Sequence, residues 1–144
     1  VEMQWLMLQQ KKPSDYVIAS GRTESVRKFI EISASKLKWN INPDTPGIIW
    51  EGKGLDEVGR RADNGKIVIR IDPRYFRPTE VDYLHGDSKK AYLELGWEPK
   101  ITLEEMIELM IINDNKEAKK ELILRNQGFP YNNSLEAIPD IMSD

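Results

Sequence analysis

The sequence predicts an α/β fold of a few short strands and several helices, on three observations. A short apolar run at 16–19 passes through a turn at Gly21 into an amphipathic helical segment, a single strand–turn–helix unit. The run Lys66-Ile67-Val68-Ile69-Arg70-Ile71 is rich in β-branched residues and reads as the best strand of the chain. Thr102-Leu103-Glu104-Glu105 is a capping box, the signature of a helix start.

In chain order, residues 1–11 are helical in pattern and end before Pro13. Their apolar periodicity begins at Val1 with no N-cap, which reads as a piece cut from something longer. Residues 16–19 form a strand, and Thr23 or Ser25 caps the helix that runs to about Leu37. Val26, Phe29, Ile30, Ala34 and Leu37 share its apolar face. Asn, Pro, Asp and Gly make 40–47 a loop, and Ile48-Ile49-Trp50 a short strand. The glycine-spaced, charged segment 52–65 reads as a flexible surface excursion. The strand at 66–71 then delivers the chain into an arginine-bearing segment.

Asp87 is placed to cap a helix over 88–95, Gly96 to end it with Trp97 packing back, and Pro99 to stop the chain. The capping box opens a helix to about Asn113, striped by Leu103, Met106, Ile107 and Met110; a separate charged helix is expected over 116–125. Met3, Met7, Met106 and Met110 read as core packing. Residues 1–131 form the folded portion, followed by a polar tail at 132–144.

Composition bounds the function. At 144 residues, 40% hydrophobic and 31% charged, the chain is an ordinary globular length with room for one core. A net charge of -3 offers no broad attraction to nucleic acid or to an anionic membrane. There is no cysteine and only one histidine, His85, so disulfides, thiolate metal sites and His-rich metal sites are excluded. The absence of cysteine fits a reducing, cytoplasmic setting. No apolar run approaches the roughly 20 residues of a membrane span.

The segment 72–82 carries the most chemistry. Arg77 has the planar fork that accepts phosphate oxygens in pairs, and Glu80, three residues on, has the carboxylate that accepts hydrogen bonds from a sugar diol. The same pair also reads as a surface ion pair at i,i+3 spacing, the commoner use of such residues. Arg74 reads as a solvated turn residue, with phosphate contact as the alternative. Tyr75 and Phe76 read as core packing beside the strand, with stacking on a base as the alternative. The Gly21-to-Arg27 segment is a helix N-terminus, a weak anion site, with Arg27 in the first turn where its charge opposes the helix dipole. Gly52-Lys53-Gly54 lacks the lysine–hydroxyl ending of a phosphate loop. Glu104 and Glu105 face different sides of their helix, and His85 has no nucleophile beside it. No residue reads as catalytic.

These residues, taken as blocks, resemble the GDP-mannose 4,6-dehydratases, members of the extended short-chain dehydrogenases. The blocks are Val-Glu-Met-Gln-Trp-Leu-Met-Leu-Gln-Gln at 1–10, Tyr-Val-Ile-Ala-Ser-Gly at 16–21 and Ser-Val-Arg-Lys-Phe at 25–29. They continue with Asp-Pro-Arg-Tyr-Phe-Arg-Pro-Thr-Glu-Val at 72–81, Gly-Asp at 86–87 and Leu-Gly-Trp-Glu-Pro-Lys at 95–100. Order and spacing agree over about 1–131. The resemblance implies the smaller C-terminal, substrate-binding part of such an enzyme, with the Rossmann domain, the NADP site and the catalytic residues outside this chain. It implies GDP-mannose as ligand, with Arg77 on the diphosphate, Glu80 on the ribose and Arg27 as a further substrate-binding residue, and a full-length protein that is a homo-oligomer. Ser88, where proline commonly opens the helix, and His85, where leucine is common, depart from the family pattern. A fragment of another nucleotide-sugar reductase or epimerase, or a stand-alone binding module, remains the alternative.

Overall fold

The computed structural model describes residues 1–77, 79 and 83–129. Among these the chain forms four helices and one three-stranded antiparallel sheet, an α/β arrangement. The contacts divide it into two compact units, Val1–Glu108 and Leu109–Asp144, each described by itself.

In the first unit, helix α1 (Glu2–Leu8) is shorter than the pattern at 1–11 predicts. At its C-terminal end the side-chain amides of Gln9 and Gln10 donate back to the carbonyls of Trp5 and Leu6, the latter also accepting from the Gln9 amide at 3.2 Å. Met3 is its one buried side chain. Residues 16–19 enter no ladder among the described residues, contrary to the strand reading. Their neighbour is the segment 84–86, where the Ala19 side chain lies close against the backbone of Gly86: a Cβ placed on Gly86 would stand 2.5 Å from Ala19 Cβ. The Thr23 hydroxyl donates to the carbonyl of Leu84. An apolar run becomes a strand only where a partner's backbone pairs with it, and among the described residues none does.

Helix α2 (Val26–Lys36) begins where the sequence places it, Ser25 Oγ accepting from the Lys28 amide at 3.1 Å. It ends through Lys38, at φ 59°, with the Trp39 amide reaching back to the Ala34 carbonyl at 3.1 Å. Phe29 and Ile30 are half-buried and Ala34 is fully buried, but Val26, predicted on the same face, is exposed.

The sheet is a meander of β1 (Ile48–Glu51), β2 (Val58–Arg61) and β3 (Ile67–Arg70), in that order. The central strand β2 is a correction: it lies within the predicted flexible excursion. Its sequence, Val-Gly-Arg-Arg, has little intrinsic strand preference. It is a strand because two partners pair with it, Trp50 opposite Gly59 and Gly59 opposite Ile69, with a bulge between Gly59 and Arg60. Gly59 leaves room for a close approach there: a Cβ would stand 3.0 Å from Ile69 Cβ and 3.1 Å from the Trp50 ring.

Helix α3 (Lys89–Leu95) is entered with Asp87 accepting from the Lys89 amide at 2.8 Å. It closes at Gly96, φ 65°, and the Trp97 amide bonds back to Ala91. Helix α4 (Leu103–Asn126) starts on the capping box: Glu105 accepts from the Thr102 amide at 2.8 Å and donates its own amide to Thr102 Oγ1 at 3.2 Å. The two helices predicted here are one. Asn113, Asp114 and Asn115 weaken a helix but neither glycine nor proline breaks it. Within the first unit Ile107 is the buried side chain of α4 and Met106 is exposed, so the methionine stripe is not the packed face. In the second unit Met110 is exposed as well, and the helix closes at Gly128, φ 79°.

Candidate functional site

The segment leaving β3 makes a tight turn. The Asp72 carboxylate accepts from the Arg74 amide at 2.9 Å and from the Arg74 guanidinium at 2.7 Å. These bonds, the side-chain one first, hold the Asp72 carboxyl below its ordinary 3.8. Arg74 is therefore a turn residue with its fork engaged, as the sequence suggests. Tyr75 and Phe76 correct the core-packing reading: both are exposed, and Tyr75 lies under the Arg74 guanidinium at 5.4 Å. A turn immediately after an edge strand has no second layer to receive them. Arg77 follows on this exposed stretch. Glu80 lies outside the described residues, as do Pro78, Val81 and Asp82.

Arg27 stands in the first turn of α2, and its guanidinium bonds Glu57 at 2.6 Å and lies 4.2 Å over the Trp50 ring. Glu57 offsets the repulsion between this cation and the positive end of the helix. Glu57 also immediately precedes β2, and Val58 pairs with Arg70 at the end of β3. Arg27 is thus tethered at the end of the sheet from which the chain continues towards Arg77. Sequence reasoning missed Trp50 and Glu57 as neighbours of Arg27; an aromatic in the strand beside a lone first-turn arginine is the signal that could have found Trp50.

A cleft of the first unit lies elsewhere. It has a volume of about 380 Å³ and runs between Ser20, Arg22 and Glu24 on one side and Pro99 to Leu103 on the other. Its charges are already matched, Arg22 to Glu24 at 2.8 Å and Lys100 to Glu2 at 2.8 Å. Such a cleft offers shape but no unmatched charge to an ionic ligand. Among the described residues no cluster of histidine, aspartate and glutamate could hold a metal ion, and no helix is long and apolar enough to cross a membrane.

A profile of the GDP-mannose 4,6 dehydratase family matches residues 1–110. The chain is 42% identical to the GDP-mannose 4,6-dehydratase of Yersinia enterocolitica over 147 aligned residues, covering 95% of this chain and 38% of that protein. It is 46% identical to the GDP-mannose 4,6 dehydratase of Drosophila melanogaster, covering 88% of this chain and 29% of that protein. The human GDP-mannose 4,6 dehydratase is 43% identical over 79% of this chain and 29% of its own length. The chain therefore spans well under half the length of these relatives. With the family profile matching most of the sequence, the chain belongs to the GDP-mannose 4,6-dehydratase family.

Proposed function

We propose that this chain is the C-terminal, substrate-binding part of a GDP-mannose 4,6-dehydratase, the lyase that forms GDP-4-keto-6-deoxymannose and water from GDP-mannose. In this reading Arg77 holds the diphosphate, Glu80 accepts hydrogen bonds from the ribose diol, and Arg27 adds a second cation. The observation that carries it is the run Asp-Pro-Arg-Tyr-Phe-Arg-Pro-Thr-Glu-Val at 72–81, of which 73–77 leave β3 exposed rather than buried, in a chain whose relatives bear that name.

The reading implies NADP, and the residues of this chain do not fit it. A dinucleotide site needs a glycine-rich turn between a strand and a helix. The nearest candidate, Gly52 and Gly54 after β1, opens a 3-10 turn (Gly54–Asp56) and then the antiparallel strand β2. NADP thus belongs to a part of the protein outside this chain, and the hydride chemistry it supplies belongs there too. On its own the chain binds without converting. The complete protein is a homo-oligomer in the cytoplasm.

Two measurements test this. GDP-mannose and NADP are incubated with the complete protein that carries this chain and, separately, with the 144-residue chain. The keto-sugar forms only in the first; its formation by the chain alone overturns the assignment of roles. Titration calorimetry of the complete protein with GDP-mannose then compares wild type with Arg77→Ala. Equal affinities remove Arg77 from the site.

A further inference from the structure

Arg27 differs from the other ring-stacked arginine fixed to the sheet. Arg61 lies 4.5 Å over Trp39 and spends two nitrogens, Nε and Nη2, on Asp63 at 3.0 and 2.6 Å. That fork is closed. Arg27 gives only Nη2 to Glu57, and among the described residues its Nε and Nη1 make no further hydrogen bond. It is therefore a held cation with donors to spare.

Beside Glu57, what holds it is a single ring. The Trp50 indole is fixed from three sides. Its backbone lies in β1 and its Nε1 donates to Glu31 at 3.2 Å. Its six-membered ring lies in the space that the missing side chain of Gly59 leaves open. Glu31 is one helical turn from Arg27, on the same face of α2, so the two side chains straddle the indole, one at its edge and one over its face. A side chain with four rotatable bonds is thereby confined to a plane, which removes much of the entropy it would otherwise lose on meeting a ligand.

We propose that Trp50 is a positioning residue: its ring face, with Glu57 at one edge, presents the remaining Arg27 donors to the anionic oxygens of a nucleoside diphosphate. This rests on the reading of Arg27 as a substrate-binding residue. Trp50 does not itself touch the ligand; it acts through Arg27.

The test is a double-mutant cycle in the complete protein, with GDP as the titrant in calorimetry. Trp50→Leu keeps apolar volume and removes the ring face; it weakens GDP binding about tenfold. Trp50→Phe keeps a face and recovers most of that loss. In an Arg27→Ala background, Trp50→Leu produces no further change. The proposal is overturned if Trp50→Leu weakens binding equally with and without Arg27, or if leucine and phenylalanine behave alike. Should the leucine variant not fold, the phenylalanine variant decides alone: its smaller loss must vanish in the Arg27→Ala background. If Arg27→Ala leaves affinity unchanged while Arg77→Ala lowers it, the assignment of Arg27 fails and the Trp50 proposal with it. If Arg27→Ala weakens binding and neither Trp50 change does, only the Trp50 proposal fails.

Discussion

Gly47 and Ala34 are packed so closely that a Cβ on Gly47 would stand 2.9 Å from Ala34 Cβ and 2.9 Å from its carbonyl carbon. This contact seats α2 on the start of β1, beside the fully buried Ile48. Because part of the obstacle is helix backbone, no rotamer change relieves it. Gly47→Ala is expected to destabilise the fold by about 2 kcal/mol through overpacking. Chemical denaturation of the two proteins checks it, and an unchanged midpoint removes the contact from the account.

Two helix ends give predictions of opposite sign. Gly96 ends α3 at φ 65° with nothing within 4 Å of a Cβ, so Gly96→Ala meets only backbone strain and is expected to lose about 1 kcal/mol. Lys38 ends α2 at φ 59° and already bears that strain. Lys38→Gly is expected to raise stability by up to about 1 kcal/mol, and a lower melting temperature for this variant refutes the assignment.

The capping box predicts a pH dependence. The Thr102 amide first, then its hydroxyl, bond the Glu105 carboxylate and hold its carboxyl below the ordinary 4.5. A lowered folded-state value means the carboxylate's contribution is complete above the unfolded value and is lost as pH falls through the folded one. Asp72 and Asp63 are lowered for the same kind of reason, by Arg74 and Arg61 respectively, so acid titration should lower stability through this window. Thr102→Ala is expected to cost about 1 kcal/mol at neutral pH and to reduce the Glu105 share of the acid slope. Urea midpoints between pH 3 and 7 measure both.

Arg77 predicts a graded loss. Lysine keeps the charge and loses the two-pronged geometry. Arg77→Lys should therefore bind GDP-mannose more weakly than wild type and more tightly than Arg77→Ala, with the alanine loss on the order of 10- to 100-fold. Lysine and alanine binding equally would leave no role for charge at this position.

The local signals in the sequence were legible where a single residue settles the geometry. Ser25 over α2, Gly96 after α3 and Thr102 with Glu105 before α4 satisfy backbone groups that any helix leaves open, so their chemistry points to one structure. The strand β2 was hidden because its partners, not its residues, make it a strand. Residues 16–19 erred the other way, apolar in pattern but without a pairing backbone among the described residues. The candidate site divides along the same line. Arg27 and Arg77 could be named from residue type and resemblance, whereas Trp50 and Glu57 become neighbours of Arg27 only when the helix lies on the sheet.

The meander β1–β2–β3 has a kinetic consequence. Its strands follow one another directly, joined by the short connections 52–57 and 62–66, so its ladder closes with little loop entropy. The bonds that gather the rest of the first unit join residues far apart, 61 positions for Thr23 to Leu84 and 98 for Glu2 to Lys100. The hypothesis is an order of assembly, with the hairpins forming before the ends of the unit come together. Pulse-labelled hydrogen exchange during refolding should protect the amides of β2 before those of α1 and α3, and simultaneous protection would remove that order.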